Sequence, residues 1–170
     1  MVRIIARLDI KGPNLVKGIN LEGLRVLGDP GQFAKKYYES GADELFYMDA
    51  VASLYQRNSL IEVVRATATE IFIPLTVGGG LRTVDDIREI LRVGADKVAV
   101  NTAAVRRPDF IQEASELFGS STIVLAIDAM QTAGGNYEAY TEYGRERTGI
   151  EAVDWAVKGV RLGAGEIIVT

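Results

Sequence analysis

Apolar residues fall into short runs that alternate with amphipathic stretches along the chain. The runs predict β-strands at residues 3–9, 44–49, 71–77, 96–101, 123–128 and 166–170. The stretches between them have helical spacing, and capping residues such as Asp29 and Thr83 mark helix starts. Near-continuous apolar strands that alternate with helices are typical of a parallel sheet covered by helices. The pattern therefore predicts an α/β protein.

Three segments repeat the same transition from helix to strand: YYESGADELFYMD at 37–49, ILRVGADKVAVN at 90–101 and VRLGAGEIIVT at 160–170. Each contains the end of an amphipathic helix, a glycine suited to the helix C-cap, a short turn and an apolar strand. Two arrangements of such units compete. A doubly wound open sheet could be completed within 170 residues, whereas a (β/α)8 TIM barrel needs eight strands and about 250 residues.

The charges on each strand face distinguish these two arrangements. Because side chains alternate along a strand, Arg7 and Asp9 share a face with the residue that starts the first strand. Four strands start with a charge: Arg3, Glu44, Lys97 and Glu166. Under the helices of an open sheet these charges would have few partners, whereas inside a barrel they converge and can pair. The pattern favours a TIM barrel; the alternative is that the charges simply flank the strands at the surface.

The chain stops on the sixth predicted strand, at Thr170. We therefore expect residues 1–170 to form a single barrel domain that is incomplete, with strands 7 and 8 absent. The first and sixth strands would then be open parallel edges, which promote association. A stand-alone six-stranded fragment without activity of its own is the less favoured alternative.

Composition excludes several classes of function. The net charge is −4 and no basic stripe stands out, which argues against nucleic-acid binding. The apolar runs are too short to span a bilayer, and Arg3 and Arg7 interrupt any signal-peptide core. The chain has neither cysteine nor histidine, so thiolate metal sites and histidine bases are excluded. Catalysis would have to use carboxylates, lysines or tyrosines, and a cytoplasmic setting fits.

Two aspartates end strands that would face each other across an eight-stranded barrel. Asp9 ends the first predicted strand and Asp128 ends the fifth, at the edge where barrel enzymes hold their active sites. Two opposed carboxylates can act as general acid and general base on one substrate. Arg7 would favour the ionised form of Asp9 and therefore its role as the base. Taken singly, either aspartate could equally well bind loop amides.

A candidate phosphate site follows the third and fourth predicted strands. The glycines at 78–80 would let backbone amides approach an anion, although such turns also use glycine for steric reasons. Asn101 and Thr102 offer donors to the same space as Gly80.

Two longer polar segments adjoin these strands. Lys17 lies in the segment between the first strand and Asp29, which we interpret as a lid loop that brings a positive charge to a phosphorylated substrate. The polar segment 131–149 is predicted to form a small hairpin.

In chain order, the segments LDIKGPNLVKG, GADELFYMDAVAS, IPLTVGGGLR, GADKVAVNTAAV, AIDA, TGIEAVDWA and GAGEIIVT resemble the cyclase subunits of imidazole glycerol phosphate synthase, the HisF family. The resemblance covers essentially the whole chain. It implies a lyase of histidine biosynthesis that uses ammonia to cleave and cyclise a phosphoribulosyl-formimino aminoimidazole-carboxamide ribonucleotide. It also implies that no metal or organic cofactor is needed, and that a glutaminase subunit supplies the ammonia.

The resemblance assigns roles to three groups of residues. The catalytic aspartates are Asp9 and Asp128. The residues that bind substrate and phosphate are Lys17, Gly80, Asn101 and Thr102. The residues of a charged gate, at the N-terminal face of the barrel where the glutaminase docks, are Arg3, Glu44, Lys97 and Glu166.

Arg7 and the LDIKGP form of the first loop depart from the family pattern, which has a small residue in place of Arg7. These features resemble a paralogous branch linked to the amidation of cell-surface sugars. They imply an alternative function, in which the barrel is an ammonia-channelling subunit that serves a separate synthetase.

Overall fold

A computed structural model of the protein describes residues 2–19, 23–50 and 60–170. The chain divides into two compact units. The first contains residues 1–80 and 88–97, and the second contains residues 81–87 and 98–170. Among the described residues, no helix is both long enough and apolar enough to cross a membrane.

The strands are β1 (Ile5–Lys11), β2 (Asn14–Ile19), β3 (Gly23–Gly28), β4 (Glu44–Asp49), β5 (Leu75–Gly78), β6 (Lys97–Val100), β7 (Ile123–Gln131), β8 (Tyr137–Thr141), β9 (Glu146–Glu151) and β10 (Glu166–Val169). The α-helices of the described residues are α1 (Pro30–Glu39), α2 (Ile61–Ala68), α3 (Val84–Arg92), α4 (Thr102–Arg106), α5 (Asp109–Phe118) and α6 (Ala152–Arg161). A short 3-10 helix covers Ser120–Thr122.

The first unit is built on the parallel strands β1, β4 and β5. The register places Arg7 opposite Phe46, and Phe46 opposite Thr76. Strand β4 is buried along its whole length, as expected for a strand that is covered on both faces. On the other side of β1, the strands β2 and β3 continue the sheet as antiparallel neighbours.

The second unit is centred on β7, which lies between two parallel neighbours, β6 and β10. At its C-terminal end β7 continues into an antiparallel ladder with β8, and β8 pairs with β9. The predicted hairpin within residues 131–149 is therefore present. The prediction of an α/β protein with parallel strands that alternate with helices is confirmed.

The repeated glycine after a helix has the backbone conformation that its position predicts. Gly41, Gly94 and Gly163 have φ values of 89°, 121° and 106°, which residues with a Cβ rarely adopt. Each ends a helix and directs the chain into the next parallel strand. The predicted cap at Asp29 is also confirmed, because its Oδ1 accepts a hydrogen bond from Gln32 N at 2.9 Å.

Strand bounds differ from the predicted ones in several places, since β1 covers Ile5–Lys11 and β7 covers Ile123–Gln131, and two further differences have a clear physical reason. The segment that contains Lys17 is not a loop, because Gly12 and Pro13 form a tight turn that folds β2 back onto β1. Gly12 has a φ of 63°, the conformation that a glycine supplies at the first central position of a hairpin turn. The third predicted strand begins at Leu75 rather than at residue 71, because Pro74 has no N–H to give to a ladder.

Tyr47 on β4 links three elements of the first unit through its hydroxyl group. The hydroxyl lies 2.8 Å from Thr67 Oγ1 on α2 and 3.3 Å from the carbonyl oxygen of Pro30 on α1. Burial raises the pKa of the phenol to about 12, against a lowering contribution from the Thr67 hydrogen bond.

We expect Tyr47→Phe to lower the free energy of unfolding by about 1–3 kcal/mol, because it leaves buried partners of the hydroxyl unsatisfied. A raised pKa in the folded state means that the wild type loses stability as the pH rises from about 10 towards 12. The variant should lack this loss. Denaturant unfolding at pH 7 and in alkaline buffer measures both effects, with the exposed Tyr37→Phe as the control. A variant as stable as the wild type would contradict the expectation.

Candidate active site

A buried carboxylate at the start of β4 collects polar partners from three other segments of the first unit. The side chain of Glu44 is 3% exposed. Its Oε2 lies 3.2 Å from Arg3 Nη1 and 3.0 Å from Lys97 Nζ, and its Oε1 accepts a hydrogen bond from Thr76 Oγ1 at 2.6 Å. Both oxygens therefore have partners, which offsets the cost of burying the charge.

Three of the four predicted gate residues thus lie together in the first unit: Arg3, Glu44 and Lys97. Glu166 begins β10 in the second unit, where it lies opposite Val124. Sequence reasoning missed Thr76, although a single hydroxyl residue in an otherwise apolar strand was a usable signal. The Glu44 carboxylate therefore accepts hydrogen bonds from two cations and from one neutral donor.

Asp9 lies towards the C-terminal end of β1. Its carboxylate contacts Arg7, the preceding residue on the same face of the strand. Arg7 Nε donates to Asp9 Oδ1 at 3.0 Å. The Arg7 guanidinium also lies over the ring of Phe46, 5.7 Å from its centroid. The side chains of Arg7 and Asp9 are 28% and 39% exposed, so both remain accessible to a small molecule.

The predicted phosphate ligands of the first unit lie on the hairpin and after β5. Lys17 is on β2 and exposed, and it lies opposite Arg25 on β3. Two like charges opposite each other disfavour a hairpin unless an anion lies nearby, so Arg25 joins the candidate residues although the sequence alone did not single it out. Gly80 is exposed at the end of the glycine run, with a φ of 74°.

Steric crowding alone explains why residue 79, in the middle of that run, is a glycine. Gly79 has a φ of 98°, and a Cβ on it would lie 2.7 Å from the carbonyl oxygen of Asp49. The β5 turn therefore needs glycine at 79 to pass the end of β4. The steric alternative raised by the sequence holds for Gly79, while the role of Gly80 as a phosphate ligand stays a prediction.

Asp128 lies in the second unit, inside β7 rather than at its end. Asn101 Nδ2 donates to Asp128 Oδ2 at 3.1 Å and to the carbonyl oxygen of Tyr140 at 3.3 Å. Thr102 Oγ1 accepts from Glu142 N at 3.2 Å. Both predicted phosphate ligands thus contact the β8–β9 hairpin, and Asn101 also contacts the candidate catalytic carboxylate.

The turn between β8 and β9 carries backbone strain next to these residues. Glu142 and Tyr143 have φ values of 51° and 60°, in the left-handed region that is unfavourable for residues with a Cβ. Arg106 on α4 fixes the turn, because its Nη2 lies 3.1 Å from Glu142 Oε1. The hairpin is therefore held in a defined position beside Thr102.

A second ion pair fixes the base of the same hairpin. Glu138 Oε2 lies 2.7 Å from Arg147 Nη2, and Glu138 Oε1 accepts from Gly149 N at 2.8 Å. The hydrogen bond from Arg147, followed by that from Gly149, lowers the pKa of Glu138. The same contact raises the pKa of Arg147.

We expect this pair to make stability depend on pH on the acid side. A lowered pKa in the folded state gives stability that is present above the unfolded value, about 4.3. It is lost as the pH falls through the lower folded value. Glu138→Gln should therefore unfold at a lower temperature than the wild type at pH 7 and approach it at pH 3. An equal difference in unfolding temperature between Glu138→Gln and the wild type at both pH values would contradict the expectation.

In each unit, a hydrogen bond from a nitrogen donor holds one candidate carboxylate in a defined orientation. Asp9 has Arg7 and Asp128 has Asn101. A carboxylate that is held in this way and still reachable can exchange a proton with a bound substrate. In chemical terms, each unit therefore offers one group suited to acid–base catalysis.

Comparison with known proteins gives the family directly. The sequence profile of the family described as histidine biosynthesis protein matches residues 3–170. The chain is 59% identical to the imidazole glycerol phosphate synthase subunit HisF of Legionella pneumophila, over 99% of this chain and 80% of that protein. It is 52% identical to the subunits of the same name from Streptomyces griseus and Streptomyces coelicolor, over 98% of this chain and 66% of each relative. The alternation of strands and helices is consistent with the barrel that the sequence predicts.

Proposed function

This chain belongs to the family of histidine biosynthesis proteins, and on that premise we propose that it is the cyclase subunit of imidazole glycerol phosphate synthase. The observation that carries the proposal is the 59% identity to a HisF subunit over 99% of the chain. In this function the protein uses ammonia to cleave the phosphoribulosyl-formimino aminoimidazole-carboxamide ribonucleotide. The products are imidazole glycerol phosphate, the carboxamide ribonucleotide and water, and the setting is the cytoplasm.

Asp9 and Asp128 carry the proton transfers in this proposal. Each new bond to the ammonia nitrogen requires a proton to leave that nitrogen. The ketone oxygen of the ribulosyl group leaves as water, and both this oxygen and the departing amine must receive protons. A carboxylate and a carboxylic acid can do both steps if they act on the same substrate. The ion pair of Asp9 with Arg7 and the amide donor at Asp128 support the roles, because each holds its carboxylate in one orientation.

Gly80, Asn101 and Thr102 bind one phosphate of the substrate in the proposal. The Thr102 hydroxyl accepts from Glu142 N and keeps its own hydrogen for a phosphate oxygen. Lys17, together with Arg25 opposite it on the hairpin, brings positive charge to the phosphorylated substrate. The two cations suit a dianionic phosphate group.

The ion pairs around Glu44 support the proposed gate for ammonia. Ammonia is small and neutral, so it can pass where ion pairs separate briefly. A glutaminase subunit would dock at the N-terminal ends of the strands, where Arg3 contacts Glu44. Glu166 is the fourth member of the gate, and residues 1–170 belong to one barrel domain in this proposal.

The contact between Arg7 and Asp9 favours a second candidate function. The guanidinium of Arg7 occupies one oxygen of Asp9, Oδ1, so a substrate has to use the other oxygen or displace the arginine. In that case the protein would be an ammonia-channelling subunit of an amidotransferase system that modifies cell-surface sugars.

Complementation separates the two functions. We expect the full-length protein to restore growth without histidine to a bacterium that lacks its own cyclase subunit, in medium rich in ammonium. The Asp128→Asn variant is the matched control and should not restore growth. Failure of a wild type that is produced in folded form would contradict the cyclase and leave the sugar-linked function.

A further inference from the structure

Two neighbouring side chains restrain Arg7: Asp9 on the same strand and Phe46 on β4. Its Nε donates to Asp9 Oδ1, two residues further along β1, at 3.0 Å. Its guanidinium lies over the ring of Phe46, which is 1% exposed and opposite Arg7 in the parallel register. A planar cation between a buried ring and a carboxylate has little freedom to change its rotamer.

The backbone beneath this pair is equally restrained. Asp9 lies in the middle of the ladder, opposite Met48 on β4 and opposite Val16 on β2. The carboxylate of Asp9 can therefore change its orientation only by side-chain rotation, and the Arg7 contact opposes that rotation. The other oxygen, Oδ2, has no hydrogen-bond partner among the described residues.

We propose that Arg7 is a positioning residue that fixes the carboxylate of Asp9 for proton transfer, with Oδ1 held by the guanidinium and Oδ2 directed to the substrate. The inference rests on the proposed function, because it assumes that Asp9 takes part in the reaction. Arginine suits the task better than lysine, since its fork and its flat face are used at the same time. Under this inference Arg7 promotes the reaction and does not block the site.

A double-mutant cycle on the full-length protein tests the proposal through turnover of the ribonucleotide with saturating ammonium. We expect Arg7→Met to lower kcat by about 10²-fold, the effect of a misplaced catalytic group, and to change KM for the ribonucleotide by less than threefold. Arg7→Lys should recover part of kcat, because it keeps a charge near Asp9. Arg65→Met, which changes an exposed arginine on α2, is the control and should match the wild type.

The cycle distinguishes a residue that acts through Asp9 from one that only stabilises the strand. If Arg7 acts through Asp9, the double variant with Asp9→Asn and Arg7→Met is no slower than Asp9→Asn alone. Additive losses, or an Arg7→Met variant with wild-type kcat, would overturn the inference. Should Asp9→Asn fall below detection, rescue of Arg7→Ala by added guanidinium ion decides instead: a rise in kcat supports the role and no rise overturns it.

The same data separate this inference from the proposed function. Full activity in Asp9→Asn would refute the catalytic role of Asp9, and the role of Arg7 with it. Loss of activity in Asp9→Asn together with wild-type kcat in Arg7→Met would refute the role of Arg7 alone.

Discussion

Replacing Asp128 with asparagine is expected to lower ammonium-dependent turnover of the ribonucleotide by about 10²–10⁴-fold, the range for loss of a general acid or base. Asparagine has nearly the same shape as aspartate but cannot exchange a proton. Its side-chain oxygen can still accept the hydrogen bond from Asn101 that reaches Asp128 at 3.1 Å. The variant should therefore fold normally, and the loss should appear in kcat.

Single-turnover kinetics on the full-length protein, with KM determined separately, measures this effect. Asp109→Asn is the matched control, because Asp109 is exposed in the first turn of α5, and it should retain the kcat of the wild type. If Asp128→Asn turned over as fast as that control, Asp128 would have no catalytic role.

Replacing Glu44 with alanine is expected to reduce the free energy of unfolding by about 3–5 kcal/mol, the cost of removing one partner of a buried ion pair. The carboxylate is 3% exposed and Lys97 is 14% exposed, so water can replace little of the lost interaction. Thr76 would also lose the acceptor that it contacts at 2.6 Å. The more conservative Glu44→Gln keeps one side-chain oxygen, replaces the other with an NH2 group and removes the charge, so it should have an intermediate effect.

Urea or guanidinium unfolding of the wild type and of these variants measures the difference. Glu62→Ala serves as the control, because Glu62 is 84% exposed and lies 3.9 Å from Arg65. Exposed pairs contribute about 0–1 kcal/mol. Equal losses for Glu44→Ala and Glu62→Ala would show that the ion pairs around Glu44 do not stabilise the protein.

The sequence predicted the ion pairs of Glu44 because they depend only on strand periodicity and alignment. Parallel strands in a sheet of this kind start at the same level, and the register indeed places Glu44 opposite Ile5 at the start of β1. Charged residues that begin such strands on one face are therefore neighbours before any loop is known. The helix cap at Asp29 was predictable for a similar reason, since its partner is three residues away.

The hairpin of β2 and β3 was missed because its pattern is not regular. The ladder shifts register between Leu15 and Val16, which are both buried although they are adjacent. Such a bulge breaks the alternation by which a strand is recognised. The Gly12–Pro13 turn is the available signal in the sequence for this hairpin.

The contacts of Asn101 and Thr102 could not be predicted from local pattern at all. Their partners, Tyr140 and Glu142, lie about 40 residues further along the chain. Only the folded β8–β9 hairpin brings these groups together. The sequence identified both residues as candidate donors, and the structure adds the groups that orient them.

Formation of imidazole glycerol phosphate from the histidine-pathway ribonucleotide is the most direct test of the cyclase function. The full-length protein, without a glutaminase, is supplied with the ribonucleotide and excess ammonium, and both products are measured. We predict that imidazole glycerol phosphate and the carboxamide ribonucleotide form in equal amounts. A correctly folded protein that forms neither product would contradict the cyclase function.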